Sequence, residues 1–105
     1  MSLGRTIRAL SDKNRRKVLT VLKRGDMPVG DILEHLSITG ASLSHHLGIL
    51  KEADLIGSRR EGQQVIYSLN LSVFEETVKE LTEFLERQPV SVPPSRSLTK
   101  QPPKT

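Results

Sequence analysis

Cysteine is absent from the 105 residues, which excludes disulfides, thiolate metal sites and thiol redox switches. No apolar run approaches the roughly 18 to 20 residues needed to cross a bilayer. The first residues, MSLGRTIRALSDKNRR, contain no apolar signal core. These absences predict a cytoplasmic chain with no direct membrane insertion. The apparatus of an enzyme is missing too: there is no cysteine nucleophile, no phosphate-cradling glycine loop and no histidine with an evident acid partner. Catalysis is not expected, no cofactor is implied, and no internal repeat is visible.

What is present suits one domain, with 35 % apolar residues to build a modest core. The net charge of +4 is unevenly placed. Residues 1–24 hold eight Lys or Arg against one acid, Asp12, whereas residues 72–88 hold five Glu against Lys79 and Arg87. A basic front and an acidic end suggest a polyanionic partner on one side, although solvated helices are commonly charged.

Periodicity predicts a mainly α domain over residues 1–88 with a small β-hairpin. A first helix covers about residues 2–10, with Leu3, Ile7 and Leu10 on one side. Ser11 or Asp12 caps a second helix from about Lys13 to Lys23, which buries Val18, Leu19, Val21 and Leu22. Gly25 suits its C-terminal end, and Met27-Pro28 reads as a short link. A third helix, about Val29 to Leu36, shows Val29, Ile32, Leu33 and Leu36 at i, i+3, i+4, i+7. Ser37-Ile38-Thr39 is then a turn, with Ile38 as its apolar plug and Thr39 as a cap.

The fourth helix follows, GASLSHHLGILKEA. Leu43, Leu47 and Leu50, with His46 beside them, should pack inward. Ala41, Ser42, His45 and Gly48 lie opposite, small or polar and without acids. Open amides, a positive dipole end and short hydroxyl side chains are what a helix needs to enter a DNA major groove. A short helix, a three-residue turn and a capped helix with a polar front form a helix-turn-helix. Thr39, Ala41, Ser42, Ser44 and His45 are the candidate contacts. His46 reads first as structural, with an accessory phosphate contact as its second reading. Arg15, Arg16 and Lys17 should lie beside the DNA, though surface solubility explains them nearly as well.

After Leu55 the period changes to 2. IGSRR and QQVIYSL flank Glu61-Gly62, which matches a tight hairpin turn. Arg59, Arg60 and Gln63 near its tip read as a wing on the DNA backbone or in a minor groove, with solvated residues of an edge hairpin as the lesser alternative. Ser72 and Glu75 have capping-box spacing and open a last helix. Its seam of Phe74, Val78, Leu81 and Leu85 has more apolar bulk than a domain this small can cover, which favours a homodimer interface together with Leu3, Ile7 and Leu10. Five of the six prolines fall at or after Pro89, so residues 89–105 are expected to be a disordered, weakly basic tail.

The runs ALSDKNRRKVLTVL, SHHLGILKEADLI and RREGQQVIYSL together resemble the arsenic-repressor (ArsR/SmtB) family of bacterial winged-helix regulators, over about residues 3–87. Within it they look most similar to the metal-independent branch of sporulation-delay autorepressors. The resemblance implies a winged helix-turn-helix in the order α1-α2-α3-α4-β-β-α5, dimerised through its first and last helices. It implies a sequence-specific transcriptional repressor of double-stranded DNA, acting on a roughly palindromic operator, autoregulatory, and nucleoid-associated when bound. Two departures stand out: Ala53-Asp54-Leu55 replaces the family's Ala-Gly-Leu, and Gly40 stands where a larger polar side chain is common. A third concerns sensing. Metal-sensing relatives place cysteines on the third helix or Asp/His ligands on the last. Here the third helix region offers Asp31, Glu34 and His35, and the last helix has no His. Adjacent His45 and His46 point about 100° apart and chelate poorly. A metal-independent repressor is expected; the alternatives are release by a membrane or signalling protein partner, or a metal sensor with a non-thiolate site.

Overall fold

The computed structural model describes residues 3–87; the tail expected from residue 89 lies outside the described residues. Five helices and a small sheet follow in the order α1 (Leu3–Leu10), α2 (Lys13–Leu22), β1 (Met27–Pro28), α3 (Val29–Glu34), α4 (Gly40–Glu52), β2 (Ile56–Glu61), β3 (Gln64–Leu69) and α5 (Leu71–Arg87). Among the described residues no helix is long and apolar enough to cross a membrane.

Local chemistry explains most of the boundaries. Asp12, rather than Ser11, caps α2: its Oδ1 accepts from the amides of Asn14 at 2.7 Å and Arg15 at 3.2 Å. Thr39 caps α4, with Oγ1 accepting from the Ser42 amide at 3.0 Å. The far end of α4 closes through Asp54, whose φ of +59° is the left-handed value glycine usually supplies. There the Asp54 amide donates to Lys51 and the Leu55 amide to Leu50.

Met27-Pro28 is more than a link. It forms an antiparallel edge strand, pairing Met27 with Tyr67 and Pro28 with Ile66, so the sheet order is β1-β3-β2. A proline is tolerated there because an edge strand leaves its missing donor unused. The hairpin also turns one residue later than Glu61-Gly62. Glu61 pairs with Gln64, and Gly62 (φ +63°) and Gln63 form the two-residue loop. A glycine with positive φ at the first loop position matches the tight turns that follow strand twist.

The core gathers Val18, Leu19 and Leu22 of α2, Ile32 of α3, and Leu43, Leu47 and Leu50 of α4, closed by Leu55 and Ile56. Ile38 packs against it from the turn, as expected, whereas Val29 is exposed. In α1 the inward residues are Thr6 and Ala9. Ile7 faces outward at 52 % exposure. Leu10 and Phe74, expected on the outer seam, instead pack against the protomer's own core. The rest of the α5 seam stays uncovered: Val78, Leu81, Phe84 and Leu85 are 62, 39, 51 and 63 % exposed.

Candidate nucleic-acid interface

The helical period divides α4 into two faces. Leu43, His46, Leu47 and Leu50 are buried, and Ala41, Ser44, His45 and Gly48 are exposed. Ser44 therefore belongs at the centre of the outward strip, while Ser42 sits at its edge, half-buried, with its amide engaged by Thr39. No acid appears on α4 before Glu52. A Cβ added at Gly40 or Gly48 would meet nothing within 4 Å, so packing within the protomer demands neither glycine. A mid-helix glycine costs about 0.5 to 1 kcal/mol relative to alanine. An exposed face that accepts this cost leaves room for close approach by a partner.

The wing stands beside this helix. A hollow of about 400 Å³ runs between them, lined by Pro28, Val29 and Gly30, by Ser44 and Leu47, and by Gln63, Gln64, Val65 and Tyr67. A second hollow, about 360 Å³, brings Arg8 of α1 to Ser44, His45 and Gly48, with Glu52 at the far end of α4. Arg8 had no role on sequence grounds, since only the folded chain brings α1 alongside α4.

The two wing arginines differ. Arg59 lies opposite Ile66 and Arg60 opposite Val65, so strand alternation sends them to opposite faces. The Arg59 guanidinium meets Asp26 Oδ2 and Glu61 Oε2, each at 2.8 Å. These bonds, Asp26's first, favour its charged form further. Arg60 is exposed and meets no carboxylate among the described residues.

His46, read first as structural, and Arg15, expected beside the DNA, both lie inside. His46 is 7 % exposed, and its Nδ1 stands 3.2 Å from Arg15 Nη1. Arg15, 8 % exposed, also donates through Nε to the Ala9 carbonyl at 2.8 Å and through Nη2 to the Arg8 carbonyl at 3.1 Å. Its place on the apolar stripe Arg15, Val18, Leu19, Leu22 (i, i+3, i+4, i+7) was a signal that it turns inward. Arg16 is exposed and donates to the Leu10 carbonyl at 2.8 Å. Asp12 sits beside this group. Burial alone would raise its carboxyl, but bonds from the Arg15 and Asn14 amides and the nearby Arg15 cation outweigh that and hold it below the usual range.

A capped helix-turn-helix whose second helix faces outward with no acid before Glu52, and a basic hairpin beside it, defines a winged-helix DNA-binding protein. The sequence profile described as "Bacterial regulatory protein, arsR family" matches residues 12–58. The transcriptional repressor SdpR of Bacillus subtilis (strain 168) is 44 % identical over 85 residues, covering 81 % of this chain and 94 % of that protein. The arsenical resistance operon repressor of Staphylococcus aureus is 30 % identical over 79 residues, covering 75 % of this chain and 76 % of the other. An ArsR-like transcriptional regulator from Rhodococcus sp. RHA1 superposes with a TM-score of 0.74 at 26 % identity, over 78 % of this chain and 77 % of that one. The homodimeric winged helix-turn-helix DNA-binding domain of a possible ArsR-family regulator from Mycobacterium bovis superposes with a TM-score of 0.65 at 25 % identity, over 85 % and 86 %. The chain belongs to the arsR family of bacterial regulatory proteins, as a winged helix-turn-helix transcriptional repressor and not an enzyme.

Proposed function

We propose that the protein represses transcription as a homodimer that sets two copies of α4 into adjacent major grooves of a roughly palindromic operator, most plainly that of its own gene. The observation that carries this reading is the outward strip of α4, free of acids through Lys51 and flanked by the wing hollow. In this reading Ala41, Ser44 and His45 reach base edges and nearby phosphates, with Thr39 and Ser42 at the helix entry. Arg60 and Gln63 rest on the flanking backbone, and Arg59 braces the wing through Asp26. His46 and Arg15 support α4 from within. Footprinting on the DNA upstream of the gene tests the proposal: protection of two half-sites about one helical turn apart is expected. A footprint with a single half-site, or none, refutes it.

The dimer rests on the uncovered seam of Ile7, Val78, Leu81 and Leu85, joined by Leu3, with Leu10 and Phe74 behind it as core supports. The Mycobacterium bovis neighbour is described as homodimeric. We further propose that no metal ion controls binding. The chain has no cysteine. Among the described residues no three His, Asp or Glu are grouped to hold an ion. The His35 and His46 Nδ1 atoms are taken up by the Asp31 carbonyl at 2.9 Å and by Arg15. Operator affinity should not change on titration with zinc, nickel or arsenite; release by any of them refutes this part.

A further inference from the structure

We propose that Arg15 and His46 are a positioning pair that fixes α4 against α1, and so sets how sharply the protein separates its operator from other DNA. The inference rests on the DNA-binding reading above and concerns two residues that touch no DNA.

Helix α2 gives no reason for a cation at Arg15. The position lies in the first turn, whose dipole end is positive and disfavours a guanidinium. The reason lies across the interface. Two of the three nitrogens bind the last carbonyls of α1, Arg8 and Ala9, at that helix's negative end. The third, Nη1, meets His46 Nδ1 at the middle of α4. An arginine nitrogen only donates, so Nδ1 must accept and the imidazole carries its proton on Nε2. That Nε2 faces Asp12 Oδ1 at 4.0 Å, on the cap of α2. Three helix ends or faces therefore meet on one planar fork.

A buried cation needs partners for stability alone. The geometry asks for more than that. A planar guanidinium bonded to α1 on two nitrogens and to α4 on the third restricts the angle between the helices, which a point-like ammonium cannot do. His46 adjoins His45 and lies two residues from Ser44 and Gly48 of the outward strip. Because α1 also carries part of the proposed dimer seam, the pair ties the spacing of two α4 helices to the dimer contact. Misplaced recognition helices lose base contacts while phosphate attraction survives.

The test uses the full chain and two 30-base-pair duplexes: one selected by the protein from randomised DNA, and a scramble of the same composition. Affinities for both are measured by anisotropy over a range of salt, with the melting temperature of each variant. His46→Leu keeps bulk but removes the acceptor. It should bind the scramble with unchanged affinity and salt slope, and its selected-to-scrambled ratio should fall about tenfold. His46→Gln, whose amide oxygen can accept from Arg15, should restore most of the ratio. Arg15→Lys should lose the ratio like His46→Leu, and the double variant should be no worse than either single one. The proposal is overturned if folded His46→Leu keeps the wild-type ratio or weakens both duplexes equally. Should His46→Leu not fold, the same judgement falls on His46→Gln against His46→Asn, whose shorter amide should fail to rescue. A wild-type protein that does not distinguish the duplexes would instead overturn the DNA-binding reading itself.

Discussion

Arg59 and Arg60 are neighbours in sequence whose surroundings differ. One is gripped by Asp26 and Glu61, and the other meets no carboxylate among the described residues. Binding to any duplex should show it: Arg60→Ala should lower the salt slope by about one unit. Arg59→Ala should change the slope by much less, since exposed ion pairs of this kind contribute only about 0 to 1 kcal/mol. Equal slope losses in the two variants would mean that Arg59 leaves its carboxylates for phosphate. Asp12 offers a second test, in pH. Its folded carboxyl titrates below the unfolded value of about 3.9, so its contribution to stability is present above that value. The contribution is lost as pH falls through the folded value. The stability gap between wild type and Asp12→Asn should therefore close below about pH 4, followed by chemical denaturation at stepped pH. Sequence patterning alone could not see the Arg59 pair, because Asp26 is brought to it by the α2–β1 connection rather than by proximity along the chain.

At the scale of elements, the ends of α2 and α4 were legible because they depend on local chemistry, whereas α5 begins at Leu71, ahead of the Ser72 expected to open it. Asp12, Thr39 and the left-handed Asp54 all stand where short-range rules place them. What escaped is non-local. A two-residue strand has no period to detect, and β1 exists only through its pairing with β3. The hairpin register slid by one because Glu61-Gly62 and Gly62-Gln63 are both plausible turn centres, and cross-strand pairing decides between them. Two substitutions probe the ends and face of α4. Asp54→Gly should gain about 0.5 kcal/mol, since relief of left-handed strain exceeds the added unfolded-state entropy. That corresponds to roughly 3 °C in melting temperature; a lower melting temperature would contradict the strain argument. Gly48→Ala should likewise stabilise the fold by about 0.5 to 1 kcal/mol. If DNA approaches this face closely, the same methyl should weaken operator binding, so the two readouts move in opposite senses. Improved stability with undiminished operator affinity would place the groove contact elsewhere on the helix.

For the whole molecule, the amphipathic pattern of α5 announced more apolar surface than one protomer can use, but not where the boundary falls. Val73, Phe74 and Thr77 turn toward the protomer's own core, and the stripe then runs on through Leu81 and Leu85, both exposed. Periodicity marks a continuous stripe and carries no sign of where one chain stops supplying its neighbours. Replacing Leu81 by Glu removes apolar burial of about 1.5 to 3 kcal/mol per copy, twice over in a symmetric pair. Sedimentation should then find monomers at micromolar concentration, with operator affinity lost and the monomer's fold intact. A surviving dimer would relocate the interface.

The uncovered leucines of α5 also bear on how the protein responds to its own abundance. Where chains are scarcer than the dissociation constant of their pairing, the paired species grows with the square of the total. Halving the supply of chain then cuts the DNA-competent pool about fourfold. A gene under such control would stay open through small leaks of its product and close abruptly once a threshold is passed, a steepness that comes from one greasy helix and needs no second effector.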